Sequence, residues 1–367
     1  MNDDPRITDK DVSAAVFGRR KFLKASAGTL GIAALAPAAA AIVSCGGAPT
    51  GGGAPTGATK LITIAASRGT NSSPVWNLVN VGPKYGFTVQ ISELFTYADQ
   101  QRAVQTGQTE FATTGVTNPA SILDSGTTNL KVIAGQLWGG SNIVVRKGVK
   151  ADTWKDLEGK TVGVTPGTYA RIEFLIAARE KGVVLEKMNM VNISSAATAL
   201  EALQKQNVDA VVLFSPTTDL AVLQDLAYYP DHIDIGDSTL GPANSVILAN
   251  TQFLADKATA ANFMKAYVES VHEMQNEDNF VRLGTLVAGL KPEVMKLAFK
   301  YMYFSEVIDE TAITKAAKLG PEFAFAKTDV SEKVASMFDY EPIMAATGKS
   351  KKDLTTPPEA ALKQVRR

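Results

Sequence analysis

The sequence predicts an α/β protein of two lobes, each a mostly parallel sheet flanked by helices, with two crossover strands between them. Three observations lead there. From residue 61 onward, short strand-like apolar runs alternate with helical stretches, a pattern that favours a largely parallel sheet covered by helices. Residues 103–112 resemble residues 202–211: each leaves a helix, passes a polar turn and an acidic residue, and enters a strand followed by a proline, Pro119 or Pro216. Two extended apolar segments, 142–146 and 245–249, bracket the block 147–240. That is the arrangement of a chain that leaves one lobe, builds a second and returns.

Residues 1–44 read as a twin-arginine export signal. Arg19 and Arg20 precede an Ala/Gly/Leu stretch, and Ile42-Val43-Ser44-Cys45 closes it with the only cysteine of the chain. A paired arginine before an apolar segment marks export. Gly28, Gly31 and Pro37 break the stretch, whereas a spanning helix needs ~20 strongly apolar residues. The four residues ending at Cys45 resemble a bacterial lipobox, which implies cleavage before Cys45 and lipidation of its thiol. Residues 45–59 form a Gly/Pro/Thr linker with nothing bulky to bury.

The lobes then follow in order. Leu61 to Ala65 is a strand, Ser67 to Pro74 a polar loop, and a helix begins near Val75. Residues 88–94 form a strand, 99–106 a helix and 110–114 a strand. In the second block, Trp154 to Gly159 leads into a strand over 160–165, and Pro166 to Tyr169 leads into a helix over 170–180. Residues 252–340 are mostly helical, with Pro292 and Pro321 at helix starts. The expected division is 60–143 with 245–345 as the first lobe, 144–244 as the second, and 346–367 as a loosely held charged tail.

Composition narrows the function. Of 37 basic and 37 acidic residues, six and four lie in residues 1–44, leaving 31 and 33 in the exported chain, a net charge of −2. That argues against a nucleic-acid partner. One cysteine excludes a disulfide framework, and two histidines, His232 and His272, are too isolated for a histidine metal site. No cofactor is expected. Gly159-Lys160-Thr161 lacks the first glycine of a phosphate-binding loop, with Trp154 in its place, and neither Gly-x-Ser-x-Gly nor His-Glu-x-x-His occurs.

Small polar residues stand at four strand ends: Ser67 to Ser73, Thr113 to Asn118, Thr165 to Tyr169, and Ser215 to Thr218. Ligands of open α/β sheets bind there, where helix N-termini present free N–H groups and partial positive charge. Each of these loops is a candidate binding segment, with Arg68, Gly69 and Thr70 in the first and Arg171 just past the third. Trp76, Trp138 and Tyr169 are candidate walls. Helix capping is the alternative for each hydroxyl loop, a solvated charge for each arginine and a core position for each aromatic. Four such loops together favour a cleft.

A family resemblance rests on specific runs. Trp154-Lys155-Asp156-Leu157-Glu158-Gly159-Lys160-Thr161-Val162-Gly163-Val164, followed by Gly167-Thr168, resembles the signature of periplasmic binding proteins for sulfonates, taurine, nitrate and thiamine precursors. Ala202 to Pro216 resembles their next segment, with Gln206 where glycine is usual. Residues 107–119 and 245–255 resemble the matching first-lobe stretch and the return crossover. The resemblance implies a type II periplasmic-binding-protein fold, with ligand-facing positions at Thr114-Gly115, Gly167-Thr168-Tyr169 and Ser215. It also implies a solute receptor that captures a small anionic organic molecule and serves the permease and ATPase subunits of an ABC importer. That receptor would be monomeric and held to a bacterial membrane through Cys45. Two alternatives remain at this point: an exported enzyme on the same fold, and a ligand-sensing lipoprotein serving a receptor.

Overall fold

The computed structural model describes residues 60–94 and 96–365, so Arg19, Arg20, Cys45 and the linker lie outside the described residues. The first sheet has the order β11-β4-β10-β3-β1-β2 and the second β7-β6-β8-β5-β9. These strands are β1 Lys60–Ala66, β2 Phe87–Glu93, β3 Phe111–Gly115, β4 Leu130–Gly139, β5 Ser141–Arg146, β6 Thr161–Val164, β7 Asn189–Asn192, β8 Ala210–Phe214, β9 Ala227–Tyr228, β10 Ala243–Asn250 and β11 Met302–Phe304.

β1 runs parallel to β2 and β3, and β6 runs parallel to β7 and β8. Parallel neighbours need a crossover, and helices supply it: α1 Ser73–Val81 and α2 Tyr97–Gln105 in the first sheet, and, after α3 Asn118–Asp124, α4 Tyr169–Glu180 and α5 Ala196–Gln204 in the second. Their starts are written locally. Thr96 and Ser195 accept from the backbone N–H groups of Asp99 and Thr198, each at 3.1 Å, and Pro74 opens α1 where its missing N–H is harmless.

The two similar sequence stretches take equivalent places. α2 leads into β3 and α5 into β8, and each strand lies between a parallel neighbour and an antiparallel one, β10 or β5. β3 is followed by α3, with Pro119 in its first turn, and β8 by α6 Thr217–Leu223, capped by Pro216.

Burial explains the apolar character of the central strands. In β5, Ile143 and Val145 face one apolar cluster and Val144 faces another, the period-two pattern of a sheet covered on both faces. α4 has two apolar faces. Ala170, Phe174, Ala177 and Ala178 pack on the second sheet, whereas Tyr169, Ile172 and Ile176 join the cluster of the first.

The chain passes from the first sheet to the second at Gly139 and Gly140, with φ of +75° and +84°. Such values suit glycine. A Cβ on Gly139 would overlap the carbonyl of Tyr301 and lie 2.8 Å from Val365 Cβ. The segment beyond Gly348, expected to be loosely held, is folded here. It forms the helices Lys351–Thr355 and Glu359–Gln364, buries Leu354, Ala361 and Val365, and donates from Gln364 Nε2 to Phe299 O and Met302 O at 3.0 and 2.7 Å. A few well-spaced apolar side chains among many charges hold it down. Pro321 is the other departure. It follows the helix Glu310–Leu319 in a turn instead of starting a helix, as prolines often do just past a helix end.

Candidate functional site

Four strand ends meet between the sheets. The loop after β1 reaches the loop after β8: Thr70, buried, donates through Oγ1 to Ser215 O at 3.0 Å. The loop after β3 reaches the start of α4: a Cβ on Gly115 would lie 3.4 Å from Tyr169 Cβ and 3.4 Å from Tyr97 Cε2. Asn71 Nδ2 donates to the Tyr97 hydroxyl at 2.9 Å and so ties the first loop to α2.

The candidate residues take different places in this arrangement. Thr70, Thr114, Gly115, Tyr169 and Ser215 are brought together and are buried. Ser215 Oγ accepts from Asn142 Nδ2 at 3.0 Å, and its N–H donates to Gly140 O at 2.8 Å, so the fourth loop is braced against the crossover. Thr168 caps α4, accepting from Arg171 N at 3.4 Å and donating to Thr165 O at 2.8 Å. Gly167 has φ +72° and open space where a Cβ would stand. Arg171 is half-buried in the first turn of α4. Arg68 turns outward: its Nε donates to Glu93 Oε2 at 2.9 Å, and its guanidinium lies 5.9 Å over the Trp76 ring. Gly69, held beside Asn71 Oδ1, shapes the first loop. Trp138 and Trp76, each 1% exposed, lie in the apolar cluster of the first sheet.

Sequence reasoning missed a polar network at the crossovers. Tyr169 donates to Ala243 O at 2.7 Å. Asn244 Nδ2 donates to Ser141 Oγ at 3.1 Å. The Ser141 and Tyr169 hydroxyls lie beside the buried carboxyl of Glu173, and Ser245 lies beside the Tyr97 hydroxyl. Burial pushes Glu173 well above the usual carboxylate range, and the Asp234 charge adds to this against the two hydroxyls. Burial pushes the Tyr97 hydroxyl up to about 12. The available signal was a polar pair opening each crossover strand, Ser141-Asn142 and Asn244-Ser245, and one acid inside the apolar run of α4.

The arrangement offers hydroxyls, amides and free helix-start N–H groups to a small polar molecule in a dry setting. Such groups bind tightly only when each is satisfied. Among the described residues, no group of three or more His, Cys, Asp or Glu is placed to hold a metal ion, and no helix is long and apolar enough to cross a membrane.

A family model described as NMT1/THI5 like matches residues 84–279. No curated protein matches the chain. The fold is that of the periplasmic binding proteins, as three solved structures illustrate. The ligand-binding component of an ABC-type import system from Staphylococcus aureus, solved with zinc bound, is 13% identical, with a TM-score of 0.66 over 79% of this chain and 100% of that one. The periplasmic aliphatic sulphonate binding protein of Escherichia coli is 18% identical, with a TM-score of 0.64 over 77% and 92%. The periplasmic nitrate-binding protein of Synechocystis is 12% identical, with a TM-score of 0.64 over 81% and 91%.

Proposed function

The chain belongs to the NMT1/THI5-like family, and from that premise we propose that it is the solute receptor of an ABC importer, acting outside the cytoplasm. In this reading, residues 60–139 with 243–365 form one lobe and 141–242 the other, a few residues from the expected bounds because β5 lies wholly in the second sheet and β10 wholly in the first, and the lobes hinge where the chain passes between the sheets. A small organic molecule with an acidic group, sulfonate- or taurine-like, lies between the four loops. It shifts the open–closed equilibrium by its preference for the closed form. The protein binds without turnover, works as a monomer, and passes its ligand to permease and ATPase subunits from a lipid anchor at Cys45.

One observation carries the reading: the loop after β1 and the loop after β8, on different sheets, touch through Thr70 Oγ1 and Ser215 O at 3.0 Å. Loops of both sheets therefore enclose one place, at the ends where α/β sheets bind ligands. The sulphonate and nitrate ligands named for two proteins of the same fold support the ligand class.

The test uses the purified full chain with Cys45→Ser, screened by thermal shift against nitrate, ethanesulfonate, taurine, pyrimidine and 4-aminopyrimidine. A true ligand at a hundred times its Kd stabilises by about 2.7 kcal/mol, a rise of several degrees, and the radius of gyration in X-ray scattering falls as the lobes close. Arg171→Ala is expected to weaken that binding at least tenfold. A flat melting temperature across the panel with an unchanged radius would refute the receptor reading.

A further inference from the structure

Two glycines in a row, Gly139 and Gly140, make the least restricted joint a chain can have, yet both of their amides are fastened. Gly139 N donates to Pro242 O at 2.7 Å, where the chain returns to the first sheet, and Gly140 N donates to Tyr301 O at 3.0 Å. The Tyr301 carbonyl is thus an anchor that belongs to neither crossover. Tyr301 also faces the second lobe, its ring 5.7 Å from that of Tyr229, the residue after β9.

The end of the chain holds that anchor in place. Tyr301 leads into β11, three residues at the edge of the first sheet, paired on one side with Leu137, Trp138 and Gly139 of β4. An edge strand leaves half of its backbone groups without a strand partner. Gln364 reaches them: Nε2 donates to Phe299 O at 3.0 Å and to Met302 O at 2.7 Å, bridging the turn that carries Tyr301. Val365, buried, stands so close to the joint that a Cβ on Gly139 would lie 2.8 Å from Val365 Cβ. The segment is fastened upstream as well, by buried Ala361 and by Ile308 N donating to Leu354 O at 2.9 Å.

The contacts continue into the cleft through Met302. Its Sδ lies 3.7 Å from Thr70 Oγ1, and a Cβ on Gly140 would stand 3.6 Å from its Cε. Thr70 is the residue that meets Ser215 O of the second lobe. Gln364, the Tyr301–Met302 backbone, the glycine joint and the loop after β1 therefore form one continuous set of contacts.

Resting on the receptor reading above, we propose that Gln364 and Val365 are positioning residues of the hinge. Acting through β11, they fix the Gly139–Gly140 joint and narrow the range of lobe orientations that the empty protein explores. A pivot fixed beforehand has less freedom to lose when the lobes close over a ligand. The last helix thereby adds to affinity without touching what is bound.

Pulsed electron spin resonance on the full chain with Cys45→Ser tests this, with spin labels at Gln108→Cys in the first lobe and Glu186→Cys in the second, both exposed. Gln364→Leu, which removes both bonds and keeps the bulk, should broaden the interlobe distance distribution of the empty protein; Val365→Ala should broaden it in the same sense. Hydrogen exchange at the Gly139 and Gly140 amides should quicken at least tenfold in Gln364→Leu. The Gly135 amide of the same strand, bonded to Glu306 O, should exchange as in the parent. A residue that served the fold alone would speed all three. An unchanged distance distribution, unchanged exchange at Gly139 and Gly140, or equal quickening at Gly135 would each overturn the proposal. The receptor reading is judged apart, on the parent: taurine, ethanesulfonate or nitrate should shift its distances toward the shorter end. A parent that closes on one of them while Gln364→Leu matches it in every measurement refutes the hinge role alone.

Discussion

Gly135→Ala is expected to destabilise the protein by about 3 kcal/mol or more, enough to lower its melting temperature by many degrees. Gly135 sits in β4 opposite Val246 of β10, and its N–H donates to Glu306 O at 2.8 Å. Its carbonyl accepts from the Tyr267 hydroxyl at 2.7 Å. A Cβ there would overlap the carbonyl oxygen of Val307 and lie 2.6 Å from its carbon and 3.0 Å from Ser305 O. These are backbone atoms and cannot rotate aside. Relief would require moving residues 305–307 away from β4 and giving up the two backbone bonds that hold them, to Gly135 and Gln136. Urea and thermal melts of the variant check this; a midpoint within experimental error of the parent would show that β4 is not so closely covered.

Lys349→Met is expected to cost about 2–3 kcal/mol at neutral pH and to strip the parent of its acid sensitivity in one pH window. Glu306 is 2% exposed, with Lys349 Nζ at 2.6 Å and His272 Nε2 at 3.6 Å. Burial alone would raise its carboxyl; the bonds from His272 and Lys349 outweigh burial and hold it down to about 2, from an ordinary 4.5. A carboxyl depressed by folding stabilises the protein above its unfolded value, and that contribution fades as pH falls through its folded value. Between pH 4.5 and 2 the parent should therefore lose roughly 3 kcal/mol from this site, at 1.36 kcal/mol per unit. Removing one partner of a buried pair leaves an uncompensated charge. Lys349 is 43% exposed, so water screens part of the attraction and the figure belongs at the lower end. Stability measured from pH 7 to 3 should show the parent falling steeply and Glu306→Gln much less. Parallel curves would exclude Glu306 as the source.

The second effect concerns the C-terminal segment, where expectation and structure parted. The alternating strands and helices of residues 61–250 were legible because parallel strands buried on both faces must be apolar throughout, as Val144 and Val145 of β5 show. The four small polar loops were legible for a related reason: a strand feeding a helix needs hydroxyls and glycines at the join. Glu173 was marked only as one acid inside an apolar helix run; the polar network it joins arises when β5 and β10, a hundred residues apart, arrive beside α4. The tryptophans misled. Trp138 precedes the glycines of the crossover, yet a large ring beside a bend also fills the space under it, and the structure puts Trp138 in the core. The C-terminal segment looked loose because its charges outnumber Leu354, Ala361 and Val365, although three buried side chains and Lys349 suffice to fasten it.

α4 carries a kinetic consequence. Tyr169, Ile172 and Ile176 are embedded in the first body while the opposite side of the same helix belongs to the second. In the receptor reading, the empty, open form wets part of those side chains, at up to roughly 1.5–3 kcal/mol for each fully exposed isoleucine, and closing over cargo buries them again. Closure then follows capture, and stopped-flow traces should reach a ceiling, the closing rate, as solute concentration climbs. Substituting alanine at Ile176 should lower that ceiling.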